Sequence, residues 1–201
     1  MPFLNLGEWF GWQEGTAMKF DLDQFISDCK TAVSKDPSRT CVREVVAQAV
    51  SDQAAVLKAF GEPKRGEIQK LYQSPDLTIL HVIWAPWMTL LPHNHQMWAV
   101  IGIYTGREDN IFWRRVPGAR QLEAAGARAL CEKDAVPLGR DIIHSVTNPI
   151  PRLTGAIHVY GGDFFGVPRS EWDPETLLEG RCDGDKMQRR FEEANALFTK
   201  R

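Results

Sequence analysis

Apolar residues recur three and four apart early in the chain and alternate later, so the sequence passes from helix to strand near residue 65. Behind an acidic N-cap at Asp21 or Asp23, Phe25, Ile26, Cys29 and Val33 keep helical spacing. A second helix is predicted from about Ser38, carrying Val42, Val45, Val46, Ala49 and Val50. A third covers residues 52–60 and stops at Gly61-Glu62-Pro63. These helices are expected to cover one face of a sheet. Strands follow at 68–73 and 77–85, parted by Ser74-Pro75-Asp76, with Leu77, Ile79, His81 and Ile83 alternating. Residues 86–92 read as a lip. Met97 to Ile103 is apolar on both alternations, as a strand buried on both faces must be. Further strands are predicted at 109–115, 135–138, 142–147 and 153–160, with 119–134 read as a strand pair around Leu122 and 127–131. That gives the eight or so strands that close a small barrel. The polar stretch after Arg169 leads to Asp183-Gly184-Asp185, which caps a last helix to about residue 198, docked on the surface through Met187, Phe191, Ala194 and Leu197. Near the start, Trp9, Phe10 and Trp12 predict an arm packed on the barrel, or else on a second subunit.

A chain of 201 residues with neither repeat nor linker predicts one domain, with 1–64 as arm and helices, 65–170 as barrel and 171–201 as extension. The apolar fraction of 43% and charged fraction of 25% are those of an ordinary globule. A formal charge of -2 and the lack of any basic run argue against nucleic acid as a partner. Met1 to Glu8 does not read as a secretory signal, and no apolar run reaches the roughly 20 residues of a membrane span. Cys29, Cys41, Cys131 and Cys182 are scattered without a Cys-x-x-Cys pair, so reduced thiols and a cytoplasmic location are expected. The oligomeric state is left as monomer or homodimer.

The chemistry concentrates in three stretches. In Pro92-His93-Asn94-His95, two imidazoles two apart share one face of a strand. In Gly139-Arg140-Asp141-Ile142-Ile143-His144, a turn and short strand supply a third from a separate hairpin. Together these stretches resemble the paired motifs of the cupin superfamily, the double-stranded β-helix barrels. The resemblance implies a mainly β, jelly-roll-like barrel and a metal held by His93, His95 and His144. Ala99 stands where that family usually has a Glu ligand, which leaves three neutral imidazoles. Such a set accepts iron, zinc, nickel or manganese, so residue types alone do not choose among them.

The third stretch is Gly155-Ala156-Ile157-His158-Val159-Tyr160-Gly161-Gly162, where His158 and Tyr160 share a strand face. With Arg169 nine residues after the tyrosine, it resembles the thiol dioxygenases of the cysteine dioxygenase family, closest to the 3-mercaptopropionate dioxygenase branch, over roughly residues 65–170. The resemblance implies Fe(II) on three His, a small thiol and O₂ as substrates, a sulfinate product, His158 and Tyr160 as catalytic groups, and Arg169 and Gln69 as holders of the substrate carboxylate. Ala156 replaces the Ser of the Ser-His-Tyr segment, and Val100 stands near the Cys that animal cysteine dioxygenases crosslink to tyrosine, so no crosslink is expected. His158 and Tyr160 also read as an ordinary core pair, Arg169 as a surface ion pair, and His81 as structural. Two other classes stay open, namely a metal-dependent cupin of other chemistry (lyase, isomerase or hydrolase) and a non-catalytic ligand-binding cupin.

Overall fold

A computed structural model describes residues 19–35 and 39–199, so the predicted Trp9–Trp12 arm lies outside the described residues. Three helices come first: α1 (Leu22–Lys35), α2 (Arg39–Ser51) and α3 (Gln53–Phe60). Asp21 accepts the Gln24 amide at 3.0 Å and Asp52 the Ala55 amide at 3.0 Å, so carboxylates satisfy the open ends of α1 and α3. Gly61, at φ +82°, ends α3. Phe25, Cys29 and Ala32 of α1 and Val42, Val46 and Val50 of α2 form the buried stripes that the spacing predicts.

Eleven strands follow: β1 (Glu67–Gln73), β2 (Thr78–Trp84), β3 (Thr89–Asn94), β4 (Ala99–Thr105), β5 (Arg107–Arg115), β6 (Leu122–Cys131), β7 (Ala135–Leu138), β8 (Ile143–Thr147), β9 (Thr154–Tyr160), β10 (Ser170–Trp172) and β11 (Glu179–Arg181), then α4 (Gly184–Thr199). They make two antiparallel sheets, one in the order β1-β2-β9-β4-β7 and one in the order β11-β10-β3-β8-β5-β6. The pairs nest: β5 with β6, β4 with β7, β3 with β8 and β2 with β9. A long hairpin rolled up in this way is a double-stranded β-helix, and the mainly β barrel with flanking helices is the architecture expected.

The first sheet is covered on both sides. Leu80, Val82, Ala99, Ile101, Ile103, Ala156 and Tyr160 face the other sheet across the interior, while Ile79, Ile83, Val100, Tyr104, Ile157 and Val159 face the helices. Every residue of β2, β4 and β9 is buried, which is why these strands read as continuous apolar runs. On β4, Gly102 lets α2 come close, since a Cβ there would overlap the Val46 side chain.

Three expectations need correction. The lip is largely strand, for β3 begins at Thr89 and ends at Asn94, so His95 lies beyond it in a turn where Gln96 takes φ +58°. The ambiguous stretch is one strand, β6, whose register slips opposite Phe112 and Trp113. The last helix does not merely dock outside. Met187, Phe191 and Ala194 pack against the interior cluster, and Phe191 stacks on Trp84 at 5.6 Å. Asn195 then ties it to the start of the barrel, accepting the Gly66 amide at 2.6 Å and donating to the Gly66 carbonyl at 2.8 Å.

Candidate metal centre

His93 comes from the end of β3, His95 from the turn after it and His144 from β8, which pairs with β3 so that His93 and His144 are directly opposite. All three are buried, and one nitrogen from each lies within 4.8 Å of the others. The Nε2 atoms converge, with His93 to His95 at 3.3 Å and His144 to His95 at 3.1 Å. Two nitrogens each about 2.1 Å from a common ion are about 3.0 Å apart at a right angle and about 3.4 Å at a tetrahedral one, so these separations suit a metal.

Hydrogen bonds on the far sides of the rings orient the lone pairs. His93 Nδ1 is 2.8 Å from the Leu91 carbonyl, which can only accept, so the proton is on Nδ1 and Nε2 carries the lone pair. For His144 the same result is reached in two steps. Glu108 Oε1 accepts from Asn110 Nδ2 at 3.0 Å, which turns Asn110 Oδ1 toward His144 Nδ1 at 2.6 Å, and an amide oxygen there requires a proton on Nδ1. Among the described residues His95 Nδ1 has no partner. Two or more lone pairs pointing at one spot repel each other unless a cation sits between them. Burial, the largest cause, lowers His93 to about 4 and holds His95 and His144 well below the usual imidazole range. The rings are therefore neutral near pH 7, as metal ligands must be. His93, His95 and His144 thus fit a divalent ion through nitrogen alone.

Tyr160 on β9 stands edge-on to His95 with ring centroids 5.0 Å apart, and its hydroxyl is 3.0 Å from His158 Nδ1. Burial pushes the phenol above its usual range. Arg169 leaves β9 through the Gly161–Pro168 loop and folds back, its guanidinium 3.7 Å above the Phe164 ring with Nη1 buried and unpartnered. The Phe164 ring that it covers lies 6.1 Å from the His95 ring, centroid to centroid, and among the described residues Arg169 forms no ion pair. Gln69 is a correction. It is exposed on β1 with Oε1 3.4 Å from His81 Nδ1, on the helix side, because its neighbour Ile68 takes the inward face. Its side chain faces His81 and is not among the walls of the cavity beside the three imidazoles.

The cavity beside the imidazoles has about 20 Å³ of free space, room for about one water. Trp84, His158, Tyr160, Phe164 and Met187 are among its walls. Larger clefts, such as one of about 580 Å³ near Tyr72 and Trp98, are surface grooves away from the three histidines.

No family model matches the chain. Among solved structures, it is similar to an RmlC-like cupin family protein with a double-stranded β-helix fold from Methanocaldococcus jannaschii, at 12% identity and a TM-score of 0.44, covering 52% of this chain and 87% of that one. Four nested antiparallel pairs decide the matter. The fold is a cupin barrel. A Cupin 2 conserved barrel domain protein from Salinispora arenicola is similar at 21% identity over 48% of this chain and 75% of that one, with a TM-score of 0.38. Oxalate decarboxylase from Bacillus subtilis is similar at 12% identity over 51% of this chain and 26% of that one, with a TM-score of 0.40. Likenesses this distant say nothing of activity, and the architecture rests on the cupin barrel's own strand pairing.

Glu108 and Asn110 escaped the sequence reading, although a Glu and an Asn two apart in a strand that also holds Ile111 and Phe112 signal polar groups turned inward. Both are buried.

Proposed function

We propose that the protein is a non-haem Fe(II) dioxygenase that converts a small thiol acid to its sulfinic acid. The reaction joins RSH and O₂ into RSO₂H, with no other oxidant or reductant. The observation that carries this reading is a set of three neutral, buried imidazoles without a carboxylate in the group, beside a buried phenol and a guanidinium whose Nη1 is buried and unpartnered among the described residues. Fe(II), when bound, supplies thiolate coordination and O₂ activation.

The chain's own groups supply the rest. Arg169 Nη1 is free to take one oxygen of a carboxylate, and the planar fork suits two-point binding of that anion. Its stacking on Phe164 fixes the plane of the fork. The Tyr160 hydroxyl, held by His158, offers a hydrogen-bonding oxygen at the edge of the imidazole cluster. Trp84, Phe164 and Met187 exclude bulk water from it. A three-carbon thiol acid is larger than the cavity, so side chains of its wall must shift to admit it.

Oxygen uptake by Fe(II)-loaded protein against cysteine, 3-mercaptopropionate, mercaptosuccinate and cysteamine, with sulfinate quantified, tests the reading. Uptake matched by sulfinate is expected, strongest for an acid and weakest for cysteamine, which lacks the carboxylate. Absence of uptake with iron verified in the site would transfer the three imidazoles to zinc, nickel or manganese chemistry or to ligand binding.

A further inference from the structure

His158 reaches Tyr160 through Nδ1 and leaves Nε2 facing the interior without a hydrogen bond. Ala156, two residues earlier on the same face of β9, offers no hydroxyl. The group that does face Nε2 comes from the opposite sheet. Glu108 Oε2 is 3.5 Å away, with the Glu108 side chain fully buried. At that length the two atoms are in electrostatic contact rather than in a formed hydrogen bond.

Glu108 is otherwise held by neutral donors. Trp84 Nε1 donates to Oε2 at 2.8 Å and Asn110 Nδ2 to Oε1 at 3.0 Å. A carboxylate buried among neutral groups is costly, and among the described residues His158 is the one basic side chain in ion-pair range of it. The carboxylate also decides which nitrogen of His158 carries the proton. A lone pair on Nε2 would confront the negative Oε2, whereas Nε2–H meets it favourably. Nδ1 then carries the lone pair and must accept from the Tyr160 hydroxyl.

We propose that Glu108 is a positioning residue for Tyr160, taking from across the barrel the place that a hydroxyl at position 156 would fill. It fixes His158 as the Nε2–H tautomer, aims the Tyr160 proton at Nδ1 and leaves the phenol's lone pairs turned to the cavity. Through Asn110 the same carboxylate sets the tautomer of His144, so one buried charge orients both a candidate ligand and the neighbouring phenol. The role in turnover rests on the dioxygenase reading; the tautomer does not.

Long-range ¹H–¹⁵N correlation spectra of the metal-free protein read the His158 tautomer, with the signals assigned through His158→Gln. Nε2–H is expected in the native protein, and Nδ1–H there overturns the proposal whether or not any variant folds. In Glu108→Leu the preference is expected to vanish, and Ala156→Ser added to it should restore Nε2 to a partnered state. A native-like tautomer in folded Glu108→Leu also overturns it. If the Fe(II) protein turns over a thiol, kcat in Glu108→Leu should fall about 10- to 100-fold with KM nearly unchanged, and Ala156→Ser should recover the part that acts through His158 and Tyr160, the part that acts through Asn110 and His144 staying lost. An inactive native protein with the expected tautomer would count against the dioxygenase reading and leave the Glu108 assignment standing.

Discussion

The first sheet carries two histidine–tyrosine pairs on its two faces. On the inner face His158 Nδ1 meets the Tyr160 hydroxyl at 3.0 Å, and on the helix face His81 Nε2 meets the Tyr104 hydroxyl at 2.8 Å. The histidines belong to the adjacent strands β9 and β2, where Leu80 pairs with His158 and His81 with Ile157, so a single step along the strand puts them on opposite sides. Both pairs are buried. Around His158 stand a buried carboxylate, three imidazoles and a cavity; around His81 stand the stacked ring of Phe60 at 4.3 Å and the amide of Gln69. A histidine bonded to a tyrosine is therefore not itself a sign of chemistry. What surrounds the pair separates a candidate site from a well-packed core.

The contrast can be broken in several ways, beginning with the largest effect. His144→Ala should abolish iron retention after anaerobic reconstitution, measured as bound metal per chain, whereas His81→Ala should keep the full complement; unchanged iron in His144→Ala would remove it from the ligand set. Next, Tyr160→Phe should lower kcat roughly 100-fold while Tyr104→Phe leaves it within about twofold. Equal effects on turnover would erase the distinction between the faces. For Arg169→Ala, KM for a thiol acid should rise by about tenfold or more, and cysteamine oxidation should be little affected.

The smaller effects concern stability. Burial, the largest cause, lowers His81 from 6.5 to about 4. Between those values the unfolded chain binds a proton that the folded chain refuses, so stability rises with pH across that window and is lost as pH falls through it. The gap corresponds to about 3 kcal/mol at most, and in the metal-free protein His81→Phe should make the fall of the urea midpoint between pH 6.5 and 4 shallower, the rest of the slope coming from His93, His95 and His144. Gly102→Ala, whose added carbon would overlap Val46, should cost about 1–3 kcal/mol in urea melts and leave kcat unaltered.

Much of this was legible in the sequence. Fully apolar strands and helical stripes need only local patterning, so α1 to α3, β2, β4 and β9 stand where the spacing predicts them. The three imidazoles were legible because two are close in sequence and the third follows a recognisable turn. Their common orientation was not, since His95 owes its direction to the turn at Gln96 rather than to strand alternation. β10 was missed because three residues carry no period; it forms by pairing along its length with β11 and, where Glu171 meets His93, with β3. The Gln69 expectation rests on its position in the family resemblance, which says nothing about which way this strand faces. The partners of Glu108 were not legible for a related reason, as His158 and Trp84 lie on the opposite sheet and only the closed barrel brings them together.

The nesting of the strand pairs also has a kinetic meaning. Loop closure becomes more costly as the partners lie farther apart in the chain, and here the separation grows from the β5–β6 hairpin outward to β2–β9. If the hairpin zips from its tip, β3 meets β8 before β2 meets β9, and the three imidazoles assemble before His158 and Tyr160 arrive beside them. The candidate metal group would then be complete one step before His158 and Tyr160 join it, and if that group binds an ion, a pulse of metal given early in refolding should speed the closure of the last pair.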